Sequence, residues 1–271
     1  MKPLALWPAA DRRQLVGVFT DIDDTLTTQG VATGDALRAL AALRDAGLHV
    51  IPITGRPVGW SEPFARQWPV DAIVAENGAV ALVATGPEGL STGSGRGLRK
   101  VYQQDQGVRH ANDARMQQVA RRILREVPGA RLSQDSPGRE TDIAIDHSEF
   151  TTLPQHCIAR VVQLMQEEGM TATVSSIHIN GWIGDHNKLD GARWIVRELF
   201  GRALDAEIGR WVYVGDSTND VLMFERFPHS VGVANIRRFE AQLTHPPEYI
   251  TPSERGAGFA EVAQAILDSR R

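Results

Sequence analysis

Apolar positions along the chain fall into short continuous runs that stop at polar knots, separated by stretches in which apolar residues recur every three or four positions. That alternation predicts buried parallel strands joined by amphipathic helices. Residues 16–20 form the first run, which ends at Asp21, Asp23 and Asp24. Thr33 then predicts a helix N-cap, Leu37, Leu40 and Leu43 follow at helical spacing, and Gly47 stands where a left-handed residue closes a helix. Residues 48–53 predict a second strand, ending at Thr54, Gly55 and Arg56. Strand, helix and strand in this order make a right-handed parallel crossover.

The same grammar returns near the other end. Residues 211–214 predict a strand ending at Gly215, Asp216 and Ser217, followed by a helical stretch to Phe224, strands at 230–234 and 249–251, and a helix at 258–267. The two ends therefore predict one α/β core, a doubly wound parallel sheet. Between them the texture changes: a Gly- and Ser-rich stretch at 86–97, a helix at 116–127, a strand at 142–146, a helix at 153–168 and strands within 171–179. About a hundred residues of this kind can bury a small core of their own. The expected organisation is a core of residues 1–82 and 185–271 with an inserted α+β cap domain at 83–184.

Composition narrows the function classes. Of 271 residues 42% are hydrophobic, enough for a packed interior, and the net charge of -4 offers no general field for nucleic acid or acidic lipid. Trp182, Trp194 and Trp211 are scattered, which suits packing anchors and not a platform for stacked bases. The single cysteine, Cys157, lies at helical spacing with Ile158, Val161 and Val162 and reads as a packed thiol. No run approaches the roughly 20 apolar residues of a membrane span, and the first fifteen residues carry no signal-peptide pattern, so a cytoplasmic location is expected. Arg96, Arg99 and Lys100 are expected on a solvated loop.

In an open parallel sheet the loops after the strands converge on one crevice. The clusters that qualify are 21–25, 54–56, the segment around Lys188, and 215–220. Carboxylates gathered there repel one another unless a cation is shared, and hard oxygen ligands suit magnesium. Asp21 and Asp23, two apart past a strand, can both face the crevice, one as nucleophile and one as acid and base. Glu76, Asn77 and Gly78 follow an apolar run at 72–75 and predict a tight turn, with Asn77, Gly55 and Arg56 as candidate substrate contacts. Arg139, Glu140, His178 and Asn180 flank predicted cap strands and are candidates for reading the leaving group.

Asp21-Ile22-Asp23-Asp24-Thr25, then Thr54, Lys188 and Gly215-Asp216-Ser217-Thr218-Asn219-Asp220, resemble the four-motif signature of the haloacid dehalogenase superfamily, whose core is Rossmann-like. A cap of this length between the second and third motifs resembles subfamily IIB, which includes Cof-type sugar phosphatases, sucrose-phosphate phosphatase and mannosyl-3-phosphoglycerate phosphatase. The resemblance implies a phosphatase in which Asp21 attacks phosphorus and Asp23 protonates the leaving oxygen, with Thr54 and Lys188 on the phosphoryl group. It also implies magnesium held by Asp21, the Asp23 carbonyl and Asp216, with Ser217, Asn219 and Asp220 around them. Two departures stand out: Asp24 occupies a position more often held by glycine, and Lys188 is followed by Leu189, Asp190 and Gly191. The implied substrate is a small phosphorylated metabolite, a sugar phosphate or phosphorylated glycoside. A phosphomutase and a non-catalytic sugar-phosphate-binding protein remain the alternatives.

Overall fold

A computed structural model of the chain describes residues 1–85 and 97–271, so Arg96 and the Gly/Ser-rich stretch short of Gly97 lie outside the described residues. Six parallel strands make the central sheet. Their spatial order is Lys2–Pro3, Tyr249–Ile250, His229–Gly232, Trp211–Gly215, Gly17–Thr20 and His49–Pro52. The central strands are buried on both faces, which explains their continuous apolar runs. Val18, Val212 and Val214 point to one face, against Leu40 and Leu43 of the helix Gly34–Asp45 and Val262 and Ile266 of the helix Arg255–Asp268. Phe19, Trp211 and Tyr213 point to the other, against Leu189, Ala192 and Ile195 of the helix Lys188–Phe200. Each of the Val, Leu and Ile side chains among them gains about 1.5–3 kcal/mol by leaving water. Gly17 makes room for the aromatic face, because a Cβ there would fall 2.2 Å from the Trp211 ring.

The inserted region builds its own layer. Its antiparallel sheet runs in the order Thr171–Val174, His178–Trp182, Ile143–Asp146, Arg131–Leu132. The helices Gln106–Glu126 and Gln155–Glu167 cover one face of it, burying Met116, Ile123, Val161 and Leu164 with Ile145 and Trp182. Cys157 is buried in this layer as a free thiol.

The expected boundary at 83 falls inside a strand. Ala72–Ala75, Val80–Thr85 and Gly97–Tyr102 form an antiparallel sheet joined to the parallel one through a bridge between Ile53 and Val74. Val83 and Val101 pack in the same cluster as Phe19 and Ile51, so both Val80–Thr85 and Gly97–Tyr102 belong with the core. Arg99 and Lys100 accordingly lie on a strand and not on a solvated loop. Arg99 pairs with Glu198 at 3.3 Å, and Lys100 with Glu62 at 2.8 Å and Glu140 at 2.9 Å. Among the described residues no helix is long and apolar enough to cross a membrane.

Candidate active site

The carboxyl ends of two parallel strands deliver the acidic residues to one place, and the end of a third delivers Thr54 and Arg56. Asp21 directly follows Gly17–Thr20; its N–H donates to the Val214 carbonyl at 2.8 Å, and its Oδ1 accepts from Lys188 Nζ at 2.6 Å. Lys188 opens the helix Lys188–Phe200, which Asn187 caps by accepting from the Asp190 N–H at 3.0 Å. A cation at a helix N-terminus is unfavourable with the helix dipole. Two carboxylates offset this, since Lys188 Nζ also donates to Asp220 Oδ1 at 2.7 Å. They raise its proton affinity although burial opposes the charge.

Asp220 is fully occupied. Its Oδ1 also accepts from the Tyr213 hydroxyl, and its Oδ2 accepts from the N–H groups of Asp216 and Ser217 at 3.0 and 3.3 Å. Gly215 is required beneath it, because a Cβ there would lie 2.4 Å from Asp220 Oδ2. Asp220 thus shapes the loop after Trp211–Gly215 and holds Lys188 in place. Ser217 Oγ donates to Asn219 Oδ1 at 2.9 Å in the same loop.

Asp216 is different. Its Oδ2 accepts from Asn235 Nδ2 at 3.1 Å, while Oδ1 is buried with no partner. Burial first, then the charges of Asp21, Asp220 and Asp24, push its carboxyl well above the usual range. Burial likewise pushes Asp21 up to about 8 against the pull of Lys188. An orphaned carboxylate oxygen beside a second strained carboxylate fits a hard divalent cation. Among the described residues no three Asp, Glu, His or Cys side chains are grouped so as to hold an ion unaided. The set fits magnesium, which keeps several waters and takes few protein carboxylates.

Asp24 has φ 54°, the left-handed conformation in which glycine is unstrained, and its carboxylate pairs with Arg255 Nε at 3.0 Å. Thr54 is buried, its Oγ1 accepting from the Arg56 N–H at 3.0 Å. Arg56 does more than its neighbours. Its Nε donates to Asp23 Oδ1 and Oδ2 at 3.0 Å, and NH2 to Asp23 Oδ1 at 2.8 Å. The same guanidinium reaches the cap, to Asp135 at 3.0 Å and Glu149 at 2.7 Å. Glu149 also meets His178 Nε2 at 2.8 Å.

Asp21, Asp23, Gly55, Arg56, His178 and Asn180 line one crevice of about 10 Å³ beneath the cap. Asn77 lines the adjoining cavity together with Lys188. Arg139 and Glu140 face neither. Arg139 is spent on Asp142 at 2.8 Å and on the Gly55 carbonyl at 3.0 Å, and Glu140 on Lys100 and Tyr102. Both dock the cap onto the core, and the expectation that they read the leaving group is corrected accordingly. Glu76 docks it too: this buried carboxylate accepts from Val58 N–H at 2.9 Å, from Thr141 N–H at 2.6 Å, from Glu140 N–H at 3.1 Å and from the Thr141 hydroxyl. Asn235, Asp135 and Glu149 were not singled out from sequence. Asn235 follows the strand His229–Gly232, so the strand-end rule that found the others reaches it; the two cap acids sit in loops without such a signal.

The family model for haloacid dehalogenase-like hydrolases matches residues 18–89. No protein of curated function matches the sequence. Among solved structures, the chain resembles Thermoplasma acidophilum 0175 at TM-score 0.66 and 14% identity, covering 93% of this chain and 99% of that one. It resembles sucrose-phosphatase from Synechocystis sp. PCC6803, solved with sucrose and phosphate, at TM-score 0.62 and 18% identity over 94% and 98% of the two chains. The C-terminal domain of C. albicans trehalose-6-phosphate phosphatase superposes at TM-score 0.65 and 13% identity over 96% of each. By sequence the chain matches the haloacid dehalogenase-like hydrolase family over residues 18–89, and over nearly its whole length it shares the fold of these solved structures.

Proposed function

We propose that the protein is a magnesium-dependent phosphatase acting on the phosphate monoester of a small metabolite, a sugar phosphate or phosphorylated glycoside. The observation that carries this reading is Lys188, which joins Asp21 to Asp220 in a buried crevice where Asp216 keeps an unpartnered oxygen. Sucrose-phosphatase and trehalose-6-phosphate phosphatase among the structural neighbours support the substrate class.

In the proposed reaction an Asp21 oxygen attacks phosphorus, the bond from phosphorus to the leaving oxygen breaks, and Asp23 in its acid form gives that oxygen a proton. Water then attacks the aspartyl-phosphate, Asp23 takes the water proton, and Asp21 is released with inorganic phosphate. Lys188 opposes the burial that disfavours ionised Asp21 and offsets charge on the phosphoryl oxygens, and Thr54 Oγ1 donates to one of them. Magnesium, held by the carboxylates of Asp21 and Asp216 and the Asp23 carbonyl, would neutralise phosphoryl charge.

The test is phosphate release from a panel of phosphorylated sugars with and without magnesium. Activity should vanish with a chelator and return with magnesium. Asp21→Asn should form no phosphoenzyme, because an amide is a poor nucleophile. Full turnover by Asp21→Asn, or by a metal-free preparation, would remove the mechanism.

A further inference from the structure

A second cavity of about 610 Å³ opens between cap and core, sharing Ser175 and Asn219 with the crevice and reaching Lys188. Small-molecule sites hold roughly 300–1,000 Å³. The crevice itself, at about 10 Å³, has room for little more than one water. Whatever is attached to the phosphoryl group must therefore extend into the larger space.

Its walls are chemically one-sided. Ile158, Val174, Trp182, Val221, Leu222 and Phe239 contribute apolar surface. Gln155, Thr173, Thr218 and Gln242 contribute uncharged hydrogen-bonding groups. Two wall residues hold buried polar atoms with no partner, Thr173 Oγ1 and Asn77 Nδ2, and Asn77 is only 2% exposed. Among the described residues of the lining, Lys188 alone carries a formal positive charge, and Asp21 and Asp220 already neutralise it. His147 is held neutral by burial, which pushes its pKa below the ordinary histidine value. A second anionic group placed here would meet largely apolar wall and find no unneutralised cation. A polyhydroxylated ring can lay its apolar faces on the aromatic and aliphatic wall while its hydroxyls meet Thr173 and Asn77.

We infer that this cavity seats the leaving group, and that the leaving group is an uncharged sugar or glycoside and not one bearing a carboxylate or second phosphate. The inference rests on the phosphatase reading above. It separates sucrose-phosphate-like substrates from mannosyl-3-phosphoglycerate-like ones, which that reading alone leaves level.

The experiment compares kcat/KM on sorbitol 6-phosphate and 6-phosphogluconate, two chains of matched length that differ in a terminal carboxylate, with para-nitrophenyl phosphate as a measure of core chemistry. The carboxylate ester should be poorer by on the order of a hundredfold, the scale on which an apolar pocket rejects a substrate that brings in a polar group. Leu222→Lys, at a rim position 36% exposed, places a cation on the wall and should narrow that ratio by about tenfold. Its melting curve shows whether it folds, and the comparison within the wild-type protein does not depend on it. Equal or better hydrolysis of 6-phosphogluconate, with para-nitrophenyl phosphate also turned over, would overturn the neutral leaving group while the phosphatase reading stood. No release from any of the three esters with magnesium present would remove both.

Discussion

Arg56 grips the carboxylate of Asp23 from two nitrogens, at 2.8 and 3.0 Å, while the rest of its guanidinium is held by Asp135 and Glu149 of the cap. The residue that aims the proposed acid is thus also the bolt between the two layers. A planar fork can do both, because its donors are fixed relative to one another; an ammonium group cannot. Arg56→Lys should retain the charge and lose the alignment, lowering kcat on a sugar phosphate by roughly ten- to a hundredfold. A melting curve close to wild type would show that the fold survives. Wild-type kcat in the variant would mean that Asp23 needs no aiming.

Lys188 supports stability as well as chemistry. Removing one partner of a buried ion pair costs about 3–5 kcal/mol, because the remaining charge is left uncompensated. Lys188→Met strands Asp21 and Asp220 together, so the variant should melt well below wild type. The deficit should be larger at pH 8 than at pH 5, because protonation relieves stranded carboxylates. Thermal melts at the two pH values decide this, and an equal deficit at both would assign the loss to packing instead of charge.

Asp21 makes a related prediction for metal. Its carboxyl is raised by burial from 3.8 to about 8, so the metal-free fold holds a proton there that the unfolded chain releases. The metal-free protein accordingly loses stability as pH rises from about 4 to about 8. Magnesium binds the ionised form, so binding should release protons across that window. The increase in Tm on adding magnesium should grow from pH 5.5 to pH 8. Asp216→Asn should abolish most of that increase. A magnesium effect independent of pH would detach it from Asp21.

The strand-end acids were legible in sequence because one rule generates them: apolar strands stop where polar loops begin, and parallel loops converge. Asp21, Thr54 and Asp216 all follow from it. The cap's hold on the core follows from no local rule. Arg56 meets Asp135 and Glu149 across 79 and 93 residues of sequence, and no periodicity encodes a pairing at that separation. The boundary at 83 misled for a physical reason too. Arg99 and Lys100 stand on opposite faces of Gly97–Tyr102, paired with Glu198 and Glu62, so two adjacent charges beside a Gly- and Ser-rich stretch read as a loop until Val80–Thr85 is seen pairing with their strand.

Glu76 supplies the last prediction. Three successive residues there, Glu76, Asn77 and Gly78, have positive φ of 49°, 55° and 111°. Two non-glycine residues in that region are costly to hold, and such strain persists where the surroundings over-determine it. Here they do. Glu76 takes its cap donors from Glu140 and Thr141, Asn77 faces the cavity, and Gly78 packs so tightly under the Lys188 helix that a Cβ would lie 2.4 Å from the Asn187 carbonyl. Every hydrogen bond to the Glu76 carboxylate comes from a donor: the N–H groups of Val58, Glu140 and Thr141, and the Thr141 hydroxyl. Glu76→Gln keeps the shape but turns one acceptor into an amide NH2 facing a backbone N–H, at a cost of about 1–3 kcal/mol. Because most of those donors belong to the cap, the loss should fall on cap docking. The variant should lose more kcat/KM on a sugar phosphate than on para-nitrophenyl phosphate, which needs less from the cap. Thr141→Val removes a single donor and should do the same more weakly. Combined, the two should cost less than the sum of the separate losses, since they break one shared contact. Strict additivity, or equal losses on both esters, would make Glu76 a support of the core turn alone.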